Sequence, residues 1–175
     1  MQFSLNTLVL LRKRVVHLIR LITSTLLLVI IATIALAAEG IDFDKALKIG
    51  SGKIMVIEFT DPDCPYCRKA YQYFLTRTDV TLYIFFNPLS SHQHAREKAQ
   101  YILSSDDRER AYAEVMAGLF DSVSPAGITE KGKKLLEEQT AIANKLGINE
   151  VPVFMISGRI VKGFDQKKLE QLLPR

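Results

Sequence analysis

The chain has 175 residues, with 23 Lys and Arg against 19 Asp and Glu, for a formal charge of +4. Its apolar share of 48% and charged share of 24% exclude a disordered chain, and only two cysteines exclude a disulfide-dense scaffold. Four basic residues, Arg12, Lys13, Arg14 and Arg20, precede the first acidic residue, Glu39; taken from 23 they leave 19, so the remainder is neutral, without the clustered cations that a nucleic-acid partner requires.

In chain order, the first element is a leader over residues 1–37. The basic cluster is followed by an apolar run from Leu21 to Ala38 that ends in small residues, and Ala35, Leu36, Ala37 fits a signal-peptide cleavage pattern with Ala38 as the new first residue. The alternative is an uncleaved inner-membrane anchor, since the run approaches the roughly 20 residues that span a bilayer. Either way the positive end stays in the cytoplasm and the rest is expected in the periplasm, where disulfides persist. Subtracting 37 from 175 leaves 138 residues, enough for one domain over residues 38–175.

The apolar positions between Gly40 and Ile49 read as a short amphipathic helix ended by Gly50, Ser51 and Gly52. Ile54 to Phe59 is a near-continuous apolar strand, and Pro65 to Phe74 a helix. Val80 to Phe86 is a second strand, which makes a right-handed parallel crossover unit. Helices follow over Ser91 to Leu103, Asp106 to Ala117 and Glu130 to Leu146, with Gly118 and Gly147 as stops. Val153 to Ser157 and Arg159 to Val161 form a hairpin, and Asp165 caps a last helix carrying Leu169, Leu172 and Leu173 on one face. This order is an α/β thioredoxin-type layout with a helical insertion at about residues 90–128.

The only two cysteines, Cys64 and Cys67, stand two residues apart at the start of the helix after the buried strand. With Cys64 as N-cap and Pro65 at N1, the amides of Tyr66 and Cys67 point back at the Cys64 sulfur and, with the helix dipole, stabilise a thiolate. Cys64 is then the more exposed, attacking thiol and Cys67 the resolving one. Arg68 and Lys69 favour that thiolate, whereas Asp61 and Asp63 oppose it. A bridge around two intervening residues constrains too little of the unfolded chain to be structural, so redox chemistry is the better account. A zinc site completed by His92 and His94 is set aside, because their spacing departs from the usual pattern; both read as solvated surface residues, and no metal or cofactor is expected. Glu58, in the apolar strand, is either a strand-end carboxylate reaching solvent or a buried group of raised pKa that exchanges a proton with Cys67. Tyr71, Tyr73 and Phe74 read as core. Pro152 opens a strand, and if its bond to Val151 is cis it presents the Val151 backbone to a partner chain. Pro65, Tyr66, Val151 and Pro152 are the expected substrate-binding residues.

The segment Phe59, Thr60, Asp61, Pro62, Asp63, Cys64, Pro65, Tyr66, Cys67 resembles the active-site segment of the periplasmic disulfide isomerases of the DsbC and DsbG type. The similarity runs on through Ala111 to Gly118, Val151 to Val153, and Gly163 with Phe164. The resemblance implies a thioredoxin fold, dithiol exchange without a metal, and a cis bond before Pro152. Those isomerases carry an N-terminal dimerisation domain, whereas here only Ala38 to Gly52 precede the first strand, so a monomer is expected. They also hold a second cysteine pair in the insertion, where this chain has Ser104 and Ser105. Glu58 and the Val151–Pro152 pair are more similar to the monomeric oxidase DsbA. The expected function is thiol-disulfide exchange with protein thiols or disulfides, served by an unidentified membrane redox partner. The alternative is a non-catalytic binding module of a secretion or conjugation apparatus.

Overall fold

The structure, a computed structural model, describes residues 41–173. The expected leader and its cleavage site lie outside those residues. Five strands form one mixed sheet in the order β1-β3-β2-β4-β5. Strand β2 (Ile54–Thr60) lies at the centre, parallel to β3 (Val80–Phe86) and antiparallel to β4 (Val153–Ile156). Helix α1 (Pro65–Phe74) is the crossover between β2 and β3. The edges are β1 (Leu47–Ile49) beside β3 and β5 (Arg159–Lys162) beside β4, both antiparallel. Because β2 is covered on both faces, its residues from Val56 to Thr60 are all buried, which is why it reads as a continuous apolar run.

The expected helix from Gly40 to Ile49 is not formed. Asp42 caps a single 3₁₀ turn, Phe43–Lys45, by accepting from the Asp44 amide at 3.1 Å. Ala46 then turns extended, and Leu47, Lys48 and Ile49 pair with Ile84, Tyr83 and Leu82. Apolar residues at 41, 43, 46, 47 and 49 suit a period of two as well as of 3.6, and the open edge of β3 decides between them by offering unpaired backbone groups.

The insertion contains α2 (Ala95–Ser104) and α3 (Arg108–Met116), followed by the long α4 (Glu130–Lys145). Helix α2 packs on α3 and α4, α3 on β1, and α4 on β3. It starts four residues later than the sequence suggests, because the carboxylates before the cysteines capture the preceding segment. Asp61 takes the Leu89 amide at 2.8 Å and Asp63 the His94 amide at 3.0 Å. At the α2–α4 crossing, a Cβ on Gly132 would run into Ser104 Oγ and the Gln100 carbonyl, so only glycine permits this approach. Buried Gln139 of α4 accepts from the Phe86 amide at 2.8 Å and donates to the Lys45 carbonyl at 2.5 Å, which ties β3 and the first turn to the helix. Helix α5 (Gln166–Leu172) closes the chain, capped by Asp165 as expected, with Leu169 and Leu173 buried.

Candidate active site

Strand β2 ends in a short loop that delivers Cys64 to the N-cap of α1, with Pro65 in the first turn. Pro65 and Tyr66 form the exposed tip, Tyr66 being 56% exposed, whereas Cys64 retains 4% exposure and Cys67 none. The two thiols are displaced in opposite directions. The Cys67 thiol, hydrogen-bonded to the Cys64 sulfur, and the amides of Cys67 and Tyr66 pull Cys64 down to about 6 against the cost of burial. Cys64 makes no closed capping bond, so the amides act through their orientation at the helix start. Burial, then the hydrogen bond to Cys64 and the charge of Glu58, push Cys67 far up, so it stays a thiol. Val151 comes to the same place from the loop before β4. Its carbonyl lies 3.8 Å from Cys64 Sγ, and the Val151–Pro152 bond is cis.

Glu58 has no exposed surface, so the strand-end alternative does not hold. Its carboxyl is pushed up to about 8, mainly by burial. Neither oxygen has a hydrogen-bond partner, so the nearby Thr60 hydroxyl moderates the carboxyl's charge from a distance rather than through a formed bond.

Two expectations about surrounding charges need correction. Arg68 is not aimed at the thiolate: Asp121 grips its guanidinium with two bonds of 2.6 Å, and its Nε donates to the Pro62 carbonyl at 2.9 Å. Lys69 lies over the Tyr66 ring at 5.3 Å. His92 is not simply solvated, since its Nδ1 sits 2.8 Å from Oδ2 of the fully buried Asp61, whose other oxygen takes the Asp63 amide at 2.7 Å. The expectation that Asp61 opposes the thiolate agrees with its charge acting upward on Cys64. Among the described residues, no group of three or more potential metal ligands occurs.

Two site-building residues escaped sequence reasoning. Lys98, 2% exposed, bridges Asp63 at 2.6 Å and Asp121 at 2.8 Å, which ties the cysteine loop to α2 and to the loop after α3. Both acidic partners are distant in sequence, and a lysine at an ordinary helix position carries no signal of burial. Tyr112 of α3, 1% exposed, packs against Tyr71 and Phe86 with its hydroxyl unpartnered.

Residues 42–174 match the thioredoxin-like domain family. The chain belongs to that family. Among solved structures, a disulfide interchange protein from Neisseria gonorrhoeae is 31% identical, with a TM-score of 0.63, over 75% of this chain and 93% of that one. A linker-deletion and N6K mutant of ScsC from Proteus mirabilis is 22% identical, with a TM-score of 0.58, over 92% of each chain. A periplasmic thioredoxin-like protein from Salmonella enterica serovar Typhimurium is 18% identical, with a TM-score of 0.55, over 80% of this chain and 93% of that one. The latter two likenesses concern the fold alone. No curated protein matches the sequence. The family and the gonococcal relative support a thiol-disulfide oxidoreductase. Among the described residues, no helix is long and apolar enough to cross a membrane.

Proposed function

We propose that this member of the thioredoxin-like family is an exported oxidoreductase that exchanges disulfides with protein thiols through the Cys64–Cys67 pair. The observation that carries the reading is the opposed displacement of the two thiols, with Cys64 lowered and Cys67 raised, beside the Val151 carbonyl. A thiol held at about 6 is mostly thiolate at neutral pH and attacks a client disulfide, and the buried thiol behind it resolves the mixed disulfide. Val151 and Pro152 hold the client as an added strand, with Pro65 and Tyr66 as the exposed contact beside it. Glu58 exchanges the proton of Cys67.

The site segment resembles that of the DsbC and DsbG type, and the protein acts as a monomer with a membrane redox partner. Export to the periplasm rests on the leader over residues 1–37, which is cleaved before Ala38; the intact mass of the periplasmic protein tests this, and retention of the leader in the membrane fraction would establish an anchor. The deciding experiment is Cys64→Ser in a thiol-disulfide exchange assay and in cells. Loss of both exchange and phenotype is expected. A phenotype kept without the thiol would replace the enzyme reading with a binding module. Equilibration of the wild-type pair with glutathione buffers then gives the potential, in which about 30 mV corresponds to about 1.4 kcal/mol.

A further inference from the structure

Between the end of α1, the first turn of α3 and strands β1 and β3 lies a pocket of about 220 Å³. Its buried lining is apolar: Phe74 from α1, Val80 and Leu82 from β3 and Tyr112 from α3 keep only 1% to 7% exposure. Tyr71 stands edge-on to Tyr112, with ring centroids 5.4 Å apart, and completes an aromatic wall. Leu75 and Glu109, both exposed, mark where the pocket meets solvent, at the end of α1 away from the cysteines. A dry apolar cavity of about 150 Å³ admits benzene, so this volume takes one six-membered ring with a short chain.

Charge decides what that chain carries. Besides the tyrosines, the ionisable side chains of the lining are Arg77 and Glu109. The Arg77 guanidinium is engaged by Asp79 through bonds of 2.7 and 2.6 Å and by the Tyr73 hydroxyl at 2.9 Å, so its charge is offset in place. Glu109 makes no hydrogen bond or ion pair among the described residues, and its neighbour Arg110 turns to Glu114 at 3.7 Å. Burial, then the charge of Glu109, raise the Tyr71 hydroxyl above its ordinary value, so the carboxylate stands near that ring. A first-turn glutamate also suits the helix dipole, but that role does not call for a carboxylate at the mouth of an apolar, aromatic pocket. Aromatic rings, like the carboxylate, favour a cation over an anion.

We propose that this pocket binds a small organic cation, a primary amine joined by a short chain to an aromatic ring, with the ring among Phe74, Leu82 and Tyr112 and the ammonium at the Glu109 carboxylate. Burial of the ring supplies most of the affinity, and the ion pair at the solvent edge selects the sign of the ligand's charge. Glu109 and Tyr112 come from the insertion, whereas Phe74 and Leu82 come from α1 and β3, so the ligand bridges the insertion and the sheet-bearing part of the fold. The site goes beyond the oxidoreductase reading and does not depend on it, since no residue of the lining takes part in the exchange steps.

The test is titration of the reduced protein with phenethylamine at neutral pH and low salt, beside the uncharged phenethyl alcohol and the anionic 3-phenylpropionate, followed by calorimetry and NMR. The amine should saturate with a dissociation constant on the order of 1 mM or tighter, about fivefold below that of the alcohol, and the anion should bind more weakly still. Cross-relaxation should run from the ligand ring to the methyl groups of Val80 and Leu82. Glu109→Gln should erase the preference for the amine while the alcohol binds as before, and Glu109→Lys should turn the preference to the anion. No saturable amine binding at about ten times that concentration overturns the proposal. So does equal binding of amine and alcohol by the wild type, an undiminished preference in Glu109→Gln, or ligand contacts away from Val80 and Leu82. If a Glu109 variant melts far below the wild type, the three-ligand series on the wild type decides alone. Thiol exchange enters none of these readouts, so failure of the oxidoreductase reading and failure of this site are told apart.

Discussion

Replacing Glu58 by Gln should stabilise the reduced protein at neutral pH, because the folded chain holds this carboxyl in a place where ionisation is unfavourable. Its ordinary value of 4.5 rises to about 8 in the fold, chiefly through burial. Below 4.5 the group is protonated whether the chain is folded or not, so its ionisation does not bear on stability. Between 4.5 and about 8 the unfolded chain releases the proton while the folded chain keeps it. Stability then falls as pH rises, by about 1.4 kcal/mol for each pH unit. At pH 7 the accumulated loss is about 3 kcal/mol, and above pH 8 it levels off near about 5 kcal/mol. Against a typical domain stability of about 5–15 kcal/mol this is a large share. Gln has nearly the same shape and no charge to lose, so the pH-dependent part of the difference isolates the carboxyl. The titration of Cys64 is common to both proteins and largely cancels in the comparison. Urea unfolding of the reduced wild type and Glu58→Gln, at intervals from pH 4.5 to 9, gives the gap directly. It should widen in favour of the variant by about 3 kcal/mol between pH 4.5 and 7. A gap that stays constant across that range would mean that Glu58 ionises freely in the folded protein, which would refute the argument from burial.

Alkylation of the reduced protein should modify Cys64 first, with an apparent pKa of about 6, and peptide mapping that found Cys67 modified first would reverse their roles. Lys98→Met keeps the length of the stem but removes the ammonium that joins Asp63 to Asp121, and should lower stability by about 2–3 kcal/mol in urea unfolding; an unchanged midpoint would mean that this bridge contributes nothing. Gly132→Ala places a methyl against Ser104 and the Gln100 carbonyl and should destabilise by about 1–3 kcal/mol, although alanine is the better helix former; a stabilised variant would show that α2 and α4 can separate at no cost.

The sequence determined the local features whose cause lies within a few residues. The central strand β2, the cysteine pair at a helix start with Pro65 behind Cys64, and the Asp165 cap were all legible, because strand length, missing amide donors and capping are short-range matters. The same sequence left β1 looking like a helix, since apolar residues at 41, 43, 46, 47 and 49 suit both periods and only the vacant edge of β3 selects the strand. What the tertiary structure decided was the meaning of the polar residues. Glu58 became a group with a raised pKa because the sheet is covered on both faces, and Asp61 became the holder of the Leu89 amide and His92 because the insertion folds back over the cysteine loop. Nothing in the sequence singled out the burial of Lys98 or Tyr112, which residues 23 to 54 positions away close around. Burial and charge pairing depend on distances in space, and a one-dimensional pattern carries no record of which distant residue arrives beside a given side chain.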